Sequence, residues 1–189
     1  MLPHIKNSKA GINRQEPVYT NLFEVYLTVP DVLKGRYDVD EILLAEQMIK
    51  IGGLATLFKG VDTIEQKFMG TTRTYLANKL DDTSHELKLD FNLNLRDAVD
   101  NYIAKLFVDW RNLGYNPATG ETSIKEDYVA PQMRLIIYSR NGAIHTDVVY
   151  HDLILKGDLT YLDELDYTSN DPVTFSITLK SDWADLKMA

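Results

Sequence analysis

Two segments of this chain alternate between apolar and polar residues with a period of two, and this pattern constrains the fold more than any other feature. In 173–180 the apolar members are Val173, Phe175, Ile177 and Leu179, and the polar members are Thr174, Ser176, Thr178 and Lys180. In 86–95 they are Leu87, Leu89, Phe91, Leu93 and Leu95 against Lys88, Asp90, Asn92 and Asn94. Successive side chains of a strand point to opposite faces, so each segment predicts a strand with one buried and one solvated face.

A single amphipathic helix is predicted over residues 97–113. Its apolar side chains recur at helical spacing and form one stripe: Val99, Tyr102, Ile103, Leu106, Phe107 and Trp110. Asp97 is the N-cap candidate, and Gly114 suits the position just after the last turn. A helix of this length can cover one face of a sheet.

The rest of the chain reads mostly as strands and turns. Further strands are predicted at 22–29, 73–77, 133–139 and 144–150, and Asn141-Gly142 is a hairpin signal between the last two. A loop is predicted at 31–40, a long hairpin or an extended loop at 54–72, and either a helix or a strand at 40–51. Strands, one helix and then strands, without βαβ alternation, predict a mainly β protein, an antiparallel or mixed β-sandwich or a small barrel with one flanking helix.

Length and composition divide the chain into one domain with two short ends. The 189 residues suffice for one core, and no apolar run approaches the roughly 20 residues that cross a bilayer. We expect an N-terminal arm at 1–20, a single domain at 21–183 and a C-terminal tail at 184–189. The first residues lack the apolar core of a secretory signal, so no export route is inferred.

Motifs that carry chemistry are not found in the sequence. There are no cysteines, the four histidines lack HxxxH or HExxH spacing, and the glycines form no phosphate-binding pattern. His145 and His151, with Asp147 and Asp152 nearby, read more simply as polar strand residues than as a metal or proton-transfer site. The chain is therefore expected not to be an enzyme and to have no catalytic, cofactor-binding or metal site and no cofactor.

The order of these elements resembles the tail tube proteins of contractile-tailed bacteriophages. Four segments carry the resemblance. They are Asn21-Leu-Phe-Glu-Val-Tyr-Leu, Thr72-Arg-Thr-Tyr-Leu-Ala with Glu86-Leu-Lys-Leu-Asp-Phe-Asn-Leu, the helix end Phe107-Val-Asp-Trp-Arg, and Ile154-Leu-Lys-Gly-Asp-Leu with Leu165 to Leu179. Relative to the family, the loop at 31–40 is longer, and 40–51 corresponds to a strand.

The resemblance implies a structural virion protein of the phage tail, made in the cytoplasm of the bacterial host. Such subunits form homohexameric rings that stack helically into the inner tube, through which genome DNA passes during ejection without specific binding. The implied partners are other copies and the sheath, baseplate and tape-measure proteins, with no membrane. The formal net charge of −8 becomes about −48 for a ring of six, and a bore lined by carboxylates would repel DNA phosphates.

Two sets of residues are candidates for assembly surfaces under this resemblance. The polar face that lines the lumen or a wall is assigned to Asp90, Asn92, Asn94, Thr174, Ser176 and Thr178. The stacking or inter-subunit segment is assigned to Phe58, Phe68, Met69 and Trp183. Alternatives on the same fold are a tube initiator, a tail terminator or a secretion-system tube protein. From another class, a non-catalytic β-sandwich binding module or a soluble enzyme also stays open.

Overall fold

The computed structural model describes residues 21–37, 41–44, 47–54, 61–80, 84–93, 102–161 and 172–188, and these form a mainly β protein. The strands are β1 Phe23–Thr28, β2 Glu41–Leu43, β3 Met48–Gly52, β4 Val61–Phe68, β5 Thr71–Leu80, β6 His85–Asn92, β7 Ala130–Tyr138, β8 Ile144–Leu155, β9 Thr160–Tyr161, β10 Thr174–Ser181 and β11 Trp183–Met188. The helices are α1 Asp31–Tyr37, α2 Tyr102–Gly114 and α3 Lys125–Tyr128.

All pairs among the described strands are antiparallel, and most of these strands belong to one continuous order, β2-β1-β7-β8-β10-β6-β3. We call β2, β1, β7, the first part of β8 and β11 sheet 1. We call the end of β8 with β10, β9, β6 and β3 sheet 2. Within the described residues the terminal strands β2 and β3 do not pair with each other, so the sheets form an open sandwich rather than a closed barrel.

Strand β8 and the β10–β11 segment both pass from one sheet to the other, and they do so at a shared corner. In β8 the alternation of buried residues changes phase between Tyr150 and Leu153, and Asp152 between them has a φ of 53°. Asp182 separates β10 from β11, and its backbone N–H donates to the carbonyl of His151 at 3.1 Å. The corner therefore joins the sheets through continuous backbone as well as through side chains.

The core lies between the sheets and α2. Phe91 of β6 stacks on Phe175 of β10 with ring centroids 4.9 Å apart, and both rings contact Phe107 of α2 at 5.6 and 6.4 Å. Leu87 and Leu89 are fully buried in the same layer. The alternation predicted for both strands is therefore confirmed within His85–Asn92 and Thr174–Ser181.

The predicted helix is confirmed where it can be seen. Helix α2 buries Ile103, Leu106, Phe107 and Trp110, the predicted stripe. Gly114 is its last helical residue rather than the residue after it. Asp97 and Val99 lie outside the described residues.

The prediction of one helix and of a loop at 31–40 is wrong. Helix α1 occupies Asp31–Tyr37, and the short helix α3 precedes β7. In α1, Leu33 is buried, and Tyr37 and Arg36 bind Asp109 of α2 at 2.6 and 2.8 Å. The contact with α2 stabilises a segment that carries little helical signal of its own.

Two segments that the sequence left undecided are extended. Within 40–51 the described residues form β2 and β3, and within 54–72 they form the hairpin of β4 and β5. The segment expected to be a C-terminal tail contains β11, which pairs with β8 from Trp183↔His151 to Met188↔Thr146. The hairpin predicted at Asn141-Gly142 is confirmed, with Gly142 at a φ of 82°.

Candidate assembly surfaces

The outward side chains of β6 and β10 form a polar surface that we call the polar ladder. The register places Asn92 opposite Thr174, Asp90 opposite Ser176, Lys88 opposite Thr178, and Glu86 opposite Lys180. The structure thus brings together five of the six residues predicted for a polar wall. The sixth, Asn94, lies outside the described residues.

Hydrogen bonds and ion pairs tie the polar ladder together. Ser176 Oγ donates to Asp90 Oδ1 at 2.6 Å, and Lys88 Nζ lies 3.8 Å from the same oxygen. Lys156, just after β8, pairs with Glu86, and Lys50 of β3 stands opposite Asp90. Because each of these carboxylates has a lysine beside it, the described part of the ladder is not the carboxylate wall suggested by the net charge.

The outward face of sheet 1 carries a second set of polar contacts. Glu24 accepts hydrogen bonds from Tyr138 at 2.7 Å and Tyr26 at 2.8 Å, and these bonds lower the pKa of its carboxyl group. Arg134 binds Asp147 through two nitrogens at 2.9 and 2.8 Å, which lowers the pKa of that carboxyl group. These contacts, within β1 and across the strands, fix side-chain geometry on a partly exposed surface, where each contributes only modestly to stability.

The hairpin of β4 and β5 stands apart from both sheets. Its strands pair only with each other among the described residues. Ile64 faces Tyr75 across the ladder, and Phe68 lies four residues on along the same face. These three side chains are all exposed, and Met69 at the turn is fully exposed. The hairpin therefore presents an uncovered apolar face and tip.

Of the four residues predicted for stacking, two lie together at the hairpin tip, Phe68 and Met69. Phe58 lies outside the described residues. Trp183 lies elsewhere, at the start of β11, where its ring stacks on His151 with centroids 3.8 Å apart. Sequence reasoning did not single out Ile64 and Tyr75, although alternation across the hairpin could have placed them with Phe68.

The geometry of the described residues does not support a metal site or a membrane-spanning helix. Among the described residues no group of three or more His, Asp or Glu side chains is arranged to hold a metal ion. None of the described helices is long and apolar enough to cross a membrane.

Comparison with known proteins gives a likeness of structure rather than of sequence. No protein-family model matches the chain, and no curated protein sequence matches it. A solved structure of the anti-feeding prophage cap (AFP tube terminating cap) matches with a TM-score of 0.59, 17% identity and coverage of 93% of each chain. The PVC sheath–tube complex of an extracellular contractile injection system contains a chain that matches with a TM-score of 0.57 and 17% identity, covering 95% of this chain and 97% of that chain.

A third structure extends the same pattern. The sheath/tube terminator of the PVC system matches with a TM-score of 0.55 and 16% identity, over 92% of this chain and 98% of that chain. At these identities the likeness shows a shared fold. It covers nearly the whole length of both chains in each case.

Proposed function

We propose that this chain, which has the fold of the tube proteins of phage tails and contractile injection systems, is a structural subunit of such a tube. In this proposal it self-assembles into hexameric rings that stack helically, and it is not an enzyme. The observation that carries the proposal is the β4–β5 hairpin, whose apolar face and tip have no cover within the described chain.

An isolated two-stranded hairpin is at best marginally stable in water, and it needs a further surface to pack against. Exposed apolar patches of this kind mark protein–protein contacts. A second copy of the chain is the occupant we propose, because the hairpin lies between β3 and β6 in the chain but, among the described strands, pairs with neither of its own subunit's sheets. Phe68 and Met69 at the tip would then contact the neighbouring ring.

Open sheet edges support closure within a ring. The described strands β2 and β3 end the continuous sheet order, and β11 pairs only with β8. Unpaired edges are ready templates for strand addition, and proteins usually cover or pair them. Contacts between two different edges are heterologous, and such contacts form a ring where the rotation closes and a filament where it does not. In this proposal the edge contacts close the ring, and the stacking contacts continue as a filament.

The wider setting of the proposal is a tail-like particle. The PVC complex is named for a sheath and a tube, and a further match is to a chain of the AFP baseplate with a TM-score of 0.57. By analogy, sheath, baseplate and tape-measure proteins are the proposed partners, and the virion or an equivalent particle is the proposed location. Genome DNA would pass the lumen in a phage tail, and the net charge of −8 disfavours its retention.

A cap or terminator is the second candidate, because two of the matching structures are a tube terminating cap and a sheath/tube terminator. Copy number separates the roles. A tube subunit is present in every ring, whereas an initiator or terminator occupies only an end of the tube. Quantitative gel staining of purified particles therefore distinguishes them.

Electron microscopy of the purified full-length chain tests the proposal. We expect rings or tubes for the wild type, and their loss in Phe68→Glu and Met69→Glu, because a charge at the hairpin tip opposes burial. Thr72→Glu is the matched control, because Thr72 lies on the other face of the hairpin opposite Lys67 and keeps assembly.

The proposal fails if the chain stays a monodisperse monomer at high concentration even with sheath or baseplate proteins present. A binding-module function would instead appear as saturable thermal stabilisation by a small molecule or metal. That outcome, without rings or tubes, would replace the structural role.

A further inference from the structure

We infer that Met69 is a modification site: a peroxide oxidises its thioether to the sulfoxide, and the oxidised hairpin tip no longer docks on a neighbouring copy. Loss of docking rests on the proposed function, in which this tip contacts the neighbouring ring. Phe68 pairs with Thr71, and only Met69 and Gly70 lie between them at the tip. The Met69 side chain has a relative exposure of 107%, so its sulfur is open to a reagent in water.

The backbone at the tip makes an apolar side chain unfavourable there. Met69 and Gly70 have φ values of 39° and 83°, and two positive φ values in a two-residue hairpin loop are those of a type I′ turn. Such a turn favours Asn, Asp or Gly at its first central position, because other residues are strained in the left-handed region. A strained methionine without apolar cover among the described residues favours a role for its side chain outside its own subunit.

The other described methionines are placed differently. Met133 is fully buried in the core, Met48 of β3 is partly buried, and Met188 at the end of β11 is 69% exposed. Because susceptibility to oxidation follows exposure, Met69 and Met188 should react first. Of the four described methionines, only Met69 lies on the surface proposed for stacking, so its oxidation is the one that affects assembly.

The oxidation requires a peroxide and no other reactant. The Sδ lone pair of Met69 attacks one oxygen of hydrogen peroxide, and an S–O bond forms as the O–O bond breaks. The departing hydroxide takes the proton of the transferred oxygen and leaves as water, so the sulfur loses two electrons and the peroxide gains them.

The product changes the chemistry of the hairpin tip. The apolar thioether becomes a polar sulfoxide, whose oxygen would lose its hydrogen bonds to water when the tip is buried against a neighbour. Methionine sulfoxide reductases restore the thioether, so the loss of docking is reversible.

Peroxide treatment of the full-length chain before assembly tests both steps. Peptide mass spectrometry should show Met69 oxidised about tenfold faster than the buried Met133. Electron microscopy should show rings or tubes from the untreated chain, their loss after oxidation, and their recovery after treatment with methionine sulfoxide reductases. Met69→Leu keeps an apolar tip without an oxidisable sulfur, so it should assemble before and after treatment. Met188→Leu is the matched control and should lose assembly on oxidation as the wild type does.

A second pair of variants needs no oxidant. Met69→Gln makes the tip polar without adding a charge and should lose assembly, whereas Met188→Gln should keep it. Oxidation of Met69 no faster than that of Met133, or unchanged assembly of a chain oxidised at Met69, overturns the inference and leaves the proposed function standing. Absence of rings and tubes from the untreated chain overturns both.

Discussion

At the scale of single residues, the closest backbone approach to any described glycine is found at Gly53. Gly53 follows β3 with a φ of +87°, and a Cβ added there would lie 1.9 Å from the backbone oxygen of Glu86. The adjacent Gly52 has only ordinary contacts, with the nearest atom 3.8 Å away. The sequence pair Gly52-Gly53 indicated a break in structure, but only the packing against β6 shows which glycine is required.

Substitution of Gly53 is expected to be costly for this reason. Gly53→Ala combines a left-handed backbone with a clash against backbone atoms, and we expect it to lower the free energy of unfolding by about 2–4 kcal/mol. Urea unfolding measures the change. Gly120→Ala is the control for the φ effect alone, because Gly120 has a φ of +71° with no neighbour within 4 Å, and should lose about 1 kcal/mol. Equal losses at the two sites would show that the clash is relieved by a small shift.

At the scale of elements, local sequence patterns predicted the helices and strands that bury one face. They failed for elements that are held in place by residues distant in the chain. Strands β6 and β10 and helix α2 each bury a regular stripe, so periodicity alone revealed them. Helix α1 depends on Asp109, more than seventy residues away in the chain, and no local pattern encodes that contact. Strand β11 is largely exposed, so its alternation of burial is too weak to distinguish it from a tail.

The candidate surfaces also divide into those that local sequence patterns predict and those that depend on contacts between distant residues. The polar ladder was predictable because β6 and β10 alternate and pair residue by residue. The stack of Trp183 on His151 was not, because it requires both strands to change sheets at one corner. The sequence alone shows that Phe68 and Met69 are hydrophobic residues near the hairpin tip. That Ile64 and Tyr75 extend the same apolar face follows only from the pairing register of β4 and β5.

The attachment of α1 provides a test at this scale. Asp109 accepts hydrogen bonds from Tyr37 and Arg36, and burial together with the Asp109 bond raises the pKa of the Tyr37 phenol. We expect Asp109→Ala to increase hydrogen exchange across Asp31–Tyr37, at a cost of about 1–2 kcal/mol. Exchange in β6 and β10 should not change. The exposed Glu126→Gln serves as control, and unaltered exchange in α1 would show that Leu33 alone holds the helix.

At the scale of the whole molecule, one aromatic cluster connects the helix to sheet 2. Phe107 of α2 lies 5.6 Å from Phe91 and 6.0 Å from Trp110, ring centroid to centroid. Each of these side chains is nearly or fully buried. Fold class followed from the sequence because such a core needs alternating strands and one amphipathic helix. The sequence did not predict that the described strands β2 and β3 end the sheet order without pairing with each other, since the order of pairing depends on contacts between distant segments.

Removal of the central ring should therefore affect the entire fold. We expect Phe107→Ala to lower the free energy of unfolding by about 3–5 kcal/mol while the transition stays cooperative. Chemical denaturation followed by both circular dichroism and tryptophan fluorescence checks this. Tyr115→Ala, at an exposed ring just after α2, should change stability by less than about 0.5 kcal/mol. Two separated transitions would instead mean that α2 unfolds independently of the sheets.

The shared corner also has a mechanical consequence. Because β8 and the β10–β11 segment each run through both sheets, a load applied to one sheet reaches the other along covalent bonds. Sliding one sheet over the other would have to deform the backbone at Asp152 and Asp182 instead of only breaking side-chain contacts. The sandwich is thus braced against shear at this corner.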